Sequence, residues 1–88
     1  MLNPIPITHF KRDVKLCQKR NKGMSKLRTL MALLINGEKL PPEYQDHPLK
    51  NNWKHHRDCH MEPDWLLIYK IDGNDLYFVR TGSHTDIF

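Results

Sequence analysis

A chain of 88 residues that is 39% hydrophobic and 27% charged suits one small folded domain, residues 1–88, and excludes a disordered polymer. A domain this size buries only about 60–65% of its unfolded surface, so its core is small. No apolar run nears the ~20 residues of a membrane span, no signal-peptide core opens the chain, and Cys17 and Cys59 are too few for a disulfide scaffold; a cytoplasmic location with free thiols is expected.

The net charge of +4 is unevenly spread. Residues 1–40 carry nine Lys and Arg against Asp13 and Glu38, a balance of +7. Residues 41–88 carry five against eight Asp and Glu, a balance of −3, and hold five of the six histidines. The first part is a candidate footprint for a polyanion, the second a candidate titratable site. The plainer alternative for the basic part is a pair of solvated helices.

Ile5-Pro6-Ile7-Thr8 reads as a short first strand, placed at an edge by Pro4 and Pro6. Thr8 is a candidate helix cap. Phe10, Val14 and Cys17 then recur at helical spacing up to Gly23, a natural C-terminal stop. A second helix, about Met24 to Asn36, carries the apolar stripe Leu27, Leu30, Met31, Leu34 and ends at Asn36-Gly37. Pro41 to Asn52 is rich in helix breakers, and Pro48 biases His47 to extended backbone. Trp53 to Asp58 reads as a strand with Trp53, His55 and Arg57 on one face, followed by a turn. Trp65-Leu66-Leu67-Ile68-Tyr69 is a central strand, Asp72-Gly73-Asn74-Asp75 a hairpin turn, and Leu76 to Arg80 the partner strand. The expected fold is therefore α+β: two N-terminal helices packed on a small antiparallel sheet, in the order β-α-α-β-β-β.

No phosphate-binding glycine loop, serine elbow or His-Glu-x-x-His motif is present. The chemistry must come from histidines and carboxylates. Imidazole titrates near neutrality and can both take and return a proton. Cleavage of RNA needs little else: a base for the 2′-hydroxyl, an acid for the departing 5′-oxygen, and a cation for the phosphorane. His47, His60 and His84 are candidates for base and acid. Arg80 is a candidate phosphate clamp, and Trp65 or Phe88 a candidate stacking platform for a base. Each has a plainer alternative: a surface histidine, a turn-forming Asp64, a core Trp65. His55, His56, Cys59 and His60 have ligand-like spacing, but on a strand and turn they do not converge as they would on a helix, so no metal site and no cofactor are expected.

The ordered segments Asp46-His47-Pro48-Leu49, Trp53-Lys54, Arg57-Asp58-Cys59-His60, Glu62-Pro63-Asp64-Trp65 and Arg80-Thr81-Gly82-Ser83-His84 carry a family resemblance across nearly the whole chain. The chain resembles the YafQ branch of the RelE-like toxins, ribosome-dependent mRNA interferases of bacterial type II toxin–antitoxin systems. The resemblance implies a RelE-like, microbial-RNase-like fold and metal-independent cleavage of mRNA in the ribosomal A site. It implies His47, His60, Asp64 and His84 as acid–base and charge-positioning residues, with Trp65 and Phe88 near the reacting nucleotide and Arg80 on phosphate. Lys11, Arg12, Lys15, Lys19 and Arg20 would meet ribosomal RNA. The implied partners are the ribosome, mRNA and a cognate DinJ-like antitoxin of ribbon-helix-helix type, with operator DNA bound only by the toxin–antitoxin complex and no membrane. The alternative kept beside it is a non-catalytic, RNA-binding inhibitor of translation.

Overall fold

The apolar run Trp65 to Tyr69 lies in the middle of the sheet. A computed structural model covers residues 1–88. Its elements are β1 (Asn3–Pro6), α1 (Thr8–Lys19), α2 (Met24–Ile35), β2 (His47–Pro48), β3 (Arg57–Glu62), β4 (Trp65–Asp72), β5 (Asp75–Gly82) and α3 (His84–Ile87), with 3₁₀ turns at Pro42–Tyr44 and Asn51–Trp53. The sheet order is β1-β5-β4-β3-β2. With strands on both sides, β4 is buried on both faces, which is why Trp65 to Tyr69 are apolar without alternation.

Trp65, Leu67 and Tyr69 meet Phe10, Cys17, Leu27, Leu30 and Leu34 of the helices, together with Cys59 and Phe78. Strand alternation sends Leu66 and Ile68, both fully buried, to the other face. That second face is the one that carries the histidines. No helix is long and apolar enough to cross a membrane.

The α+β arrangement with two helices on the sheet matches the expectation, but β2 is added to the expected order and β1 is Asn3–Pro6 rather than Ile5 to Thr8, since Thr8 already begins α1; four further details differ. First, β1 runs parallel to β5, while the remaining pairs are antiparallel. Second, Trp53 to Asp58 is not a strand. Positive φ at Asn51 (58°) and His55 (70°) breaks the extension, so β3 begins at Arg57 and runs through Cys59 and His60, where a turn was expected. Third, the tail forms α3. Ser83 accepts from the Asp86 N–H while the Asp86 carboxylate accepts from the Ser83 N–H, a capping box.

Fourth, the caps of α1 move. Ile7, not Thr8, is its N-cap, with no side-chain bond. Its left-handed terminal residue is Asn21 (φ 56°), with the Lys22 N–H on the Cys17 carbonyl, and Gly23 instead precedes α2 at φ −70°. At the end of α2, Gly37 (φ 71°) takes the expected left-handed role, and the Glu38 N–H reaches the Leu33 carbonyl.

Candidate active site

Because Cys59 points into the core, its neighbours Asp58 and His60 point to the opposite face. The short β2 places His47 directly across from Asp58. The α3 segment brings in His84. The three rings stand in a row, with centroids 6.2 Å apart for His47 and His60 and 6.0 Å for His60 and His84. Phe88 extends the row at 6.3 Å from His84, and Trp53 meets Phe88 edge-on at 5.8 Å. Four residues proposed for the chemistry, His47, His60, Asp64 and His84, are thus gathered at one place, with Phe88 exposed beside them.

Two of the imidazoles are held through Nδ1. That atom of His47 lies 2.7 Å from the Gln45 carbonyl, which can only accept, so it carries the hydrogen and Nε2 keeps the lone pair of the neutral ring. Gln45 reaches this position through a left-handed backbone, φ 50°. Nδ1 of His84 lies 2.7 Å from Asp64 Oδ1, and the His84 backbone N–H donates to the same oxygen at 3.0 Å. These two contacts hold the Asp64 carboxyl below the usual aspartate range.

Asp58 lies beneath the row. Its Oδ1 is 3.0 Å from His47 Nδ1 and 3.9 Å from His60 Nε2. The His47 hydrogen is directed at Gln45, however, and Asp58 Oδ1 is a buried oxygen without a hydrogen-bond donor. Burial raises the Asp58 carboxyl above its ordinary value, with His47 and His60 opposing the rise. His47, Asp58 and His60 offer three donor atoms within 4.8 Å of one another. Two imidazoles and a carboxylate with a spare oxygen fit a transition-metal ion.

Anchors lie behind both ends of the row. Asp46, next to His47, accepts from Arg57 Nε and Nη2 at 3.2 and 3.4 Å and from the buried Tyr69 hydroxyl at 2.6 Å. At the other end, Arg20 donates to Asp86 at 2.8 Å.

Two expected site residues are relocated. Trp65 is fully buried in the core, and its indole N–H donates to Thr81 Oγ1 at 3.1 Å. It supports the site from behind and offers no face to a base. Arg80 is also committed within the chain. It donates to both Asp13 oxygens at 2.7 and 3.3 Å and to the Asp86 carbonyl at 3.3 Å, which joins α1, β5 and α3 and leaves little guanidinium for a phosphate. Lys11, Arg12, Lys15 and Lys19 are exposed on α1, across the sheet from His47, His60 and His84, while Arg20 is paired with Asp86.

Sequence reasoning passed over Asp58, Asp46 and Asp13. For Asp58 the signal was present: Asp58-x-His60 puts both side chains on one face once the strand is started at Arg57 rather than ended at Asp58.

The family model described as bacterial toxin of type II toxin–antitoxin system, YafQ, matches residues 3–88. The mRNA interferase toxin YafQ of Escherichia coli BL21(DE3) is 56% identical over 80 residues, covering 90% of this chain and 87% of that protein. A crystal structure of YafQ from the same strain superimposes with a TM-score of 0.96, at 49% identity and over 100% of this chain and 99% of that one. A crystal structure of the E. coli DinJ–YafQ complex matches with a TM-score of 0.94, at 50% identity and over 100% and 99% of the two chains. A metal-bound toxin from Helicobacter pylori matches with a TM-score of 0.93, at 38% identity and over all of both chains. A match across nearly every residue, carried by both sequence and three-dimensional form, places this chain in the YafQ family of toxins from bacterial type II toxin–antitoxin systems.

Proposed function

We propose that this toxin is a ribosome-dependent endoribonuclease that cuts mRNA by proton transfer between histidines. One observation carries the reading: His47 and His84 each turn Nδ1 to an oxygen, and each keeps Nε2 for a substrate, on either side of a third imidazole. His47 Nε2 takes the proton of a ribose 2′-hydroxyl. The freed oxygen attacks the adjacent phosphorus, and the bond from phosphorus to the 5′-oxygen breaks. His84, held through Nδ1 by Asp64, gives a proton from Nε2 to that 5′-oxygen. The products are a 2′,3′-cyclic phosphate and a 5′-hydroxyl end. His60, between His47 and His84, offsets the charge of the phosphorane in its imidazolium form. Phe88 stacks on a base of the message.

Base, acid and cation are all supplied by side chains, so the cycle runs without a resident metal. An ion held by His47, Asp58 and His60 would polarise a phosphoryl oxygen. The test treats the toxin with EDTA, removes the chelator, and then adds the toxin to ribosomes in metal-scrubbed magnesium buffer: undiminished cutting assigns the step to the imidazoles, and cutting that is lost and returns with a transition-metal ion assigns it to the ion. The toxin acts in the cytoplasm, where ribosomes translate. A ribbon-helix-helix antitoxin like DinJ neutralises it, and the pair binds operator DNA.

Primer extension on message from a translating extract tests the main claim. His84→Ala and His47→Ala each lower the cutting rate about 10²- to 10⁴-fold, with unchanged circular dichroism. Arrested translation with intact message would instead make the chain a blocker that binds RNA without cutting it.

A further inference from the structure

The pairing of β2 with β3 stops at Arg57 and Asp58, so residues 59–62 of β3 have no strand on that side. A cleft of about 360 Å³ opens there, between α2 and the Pro42–Tyr44 turn, with His60 in its wall. A second hollow of about 230 Å³ continues it past Glu43 and Gln45 to the Glu62-Pro63 corner, again along His60. The two form a groove that starts at the middle imidazole of the site and leads away from it.

The lining of the first cleft has a definite chemical character. Ser25 and Thr29 are one turn apart on α2 and so share a face. Tyr44 is half-buried and packs against the core, which fixes its ring. Glu43 stands exposed beside it. The nearby cation, Lys26, is already bonded to Glu62 at 2.9 Å. Beyond His60, a phosphate deeper in the cleft would meet Glu43 with no unpaired Lys or Arg in the lining to offset the repulsion. A flat, neutral ring with hydrogen-bond donors on its edge suits the same groups: Tyr44 for its face, Glu43 for an amino group, the hydroxyls for what remains.

We infer that this cleft is a base-reading subsite for a nucleotide flanking the cut, and that Glu43 selects bases with an exocyclic amino group over uracil. This rests on the chain being an endoribonuclease. Tyr44 supplies the stacking surface, and Thr29 and Ser25 hydrogen-bond the rest of the base edge. Catalysis and selection then lie on two sides of His60, and a change in the cleft alters which sites are cut without removing a proton-transfer group.

The test uses the whole chain in a translating extract, with messages in which the nucleotides on either side of a cut are varied in turn through all four bases. The wild type disfavours uridine at one of the two positions. Glu43→Gln reduces that discrimination about tenfold while cutting continues, and Thr29→Val shifts it in the same sense. Tyr44→Leu slows cutting about tenfold at all sites, and Tyr44→Phe restores it. Thermal unfolding checks each variant; should Tyr44→Leu fail to fold, Glu43→Gln, at an exposed position, decides the matter. A wild type that cuts while all variants keep its rates and site distribution overturns the subsite alone. Variants that change only the affinity for antitoxin also overturn it. A wild type that cuts no message overturns the nuclease reading and the subsite together.

Discussion

At Asp58, folding and the proposed chemistry pull in opposite directions. A carboxylate with one oxygen buried and undonated is unfavourable to fold around, and burial favours its neutral form. The folded-state value lies above the unfolded one, so folding is favoured below the unfolded value and the benefit is lost as pH rises through the folded value. At neutral pH the charged group is a burden, which Asn removes. Asp58→Asn is expected to melt at or above the parent temperature at pH 7, with the gain shrinking toward pH 4, and to cut message far more slowly. A lower melting temperature at pH 7 would mean that the three histidines fully compensate the buried charge. The two aromatic residues separate in the same way. Trp65→Ala costs about 3–5 kcal/mol of stability, as for any large core truncation, and loses activity through unfolding. Phe88→Ala, at an exposed position, leaves the melt nearly unchanged and lowers cutting by about tenfold, the scale of a single base stack.

A four-residue helix has no stability of its own, so α3 stands only because other elements hold it. Asp64 anchors its first residue, the capping box closes its first turn, and Arg20 of the α1 terminus pins Asp86. An exposed pair such as Arg20–Asp86 contributes about 0.2–1 kcal/mol to global stability, yet it fixes the position of His84. Arg20→Ala should therefore barely change the melt but lower kcat more than it changes KM, with Arg20→Lys recovering part of the loss. The carboxyls of Asp64 and Asp86 are both depressed, the first by His84 and the second by the Ser83 N–H and Arg20. Their hold is complete above the ordinary aspartate range and lost as pH falls below it. The amide protons of Ser83 and His84 donate to these carboxylates and report the release as upfield shifts in an acid titration. Unshifted amides would mean that α3 is held by other contacts. These elements were unevenly legible beforehand. The amphipathic stripe of α2 and the apolar run of β4 have periods that survive in any surroundings, and both were placed correctly. The Ser83-x-x-Asp86 box was readable as a helix start but lies in a stretch too short for periodicity to register. The start of β3 was not readable, because left-handed backbone at Asn51 and His55 comes from tertiary packing and neither residue type demands it.

For the molecule as a whole, the division of charge becomes a division of surfaces. The exposed Lys11, Arg12, Lys15 and Lys19 project from α1 on the helical side of the sheet, and His47, His60 and His84 lie on the other. Replacing those four by Ala should reduce the salt dependence of ribosome binding, by a slope of about 0.7–0.9 for each phosphate no longer neutralised, while the acid–base chemistry keeps its pH profile. An unchanged slope would move the ribosome-binding surface elsewhere. Arg20 does not belong in that set, since its removal also loosens α3. Local signals cannot show such sharing: Arg20, Arg80 and Trp65 each read as a group that meets RNA, and the fold uses all three to hold its own parts together.

The parallel pairing of the opening strand with β5 makes the two ends of the polypeptide interdependent. Asn3 to Pro6 find their strand neighbours at Asp75 to Phe78, so β1 has no pairing partner until β5 has been made. A chain broken off before Asp75 lacks β5, the pairing partner of β1, and the proposed proton donor His84. Such a fragment is expected to be inert, with neither the sheet closed at β1 nor the histidine site assembled.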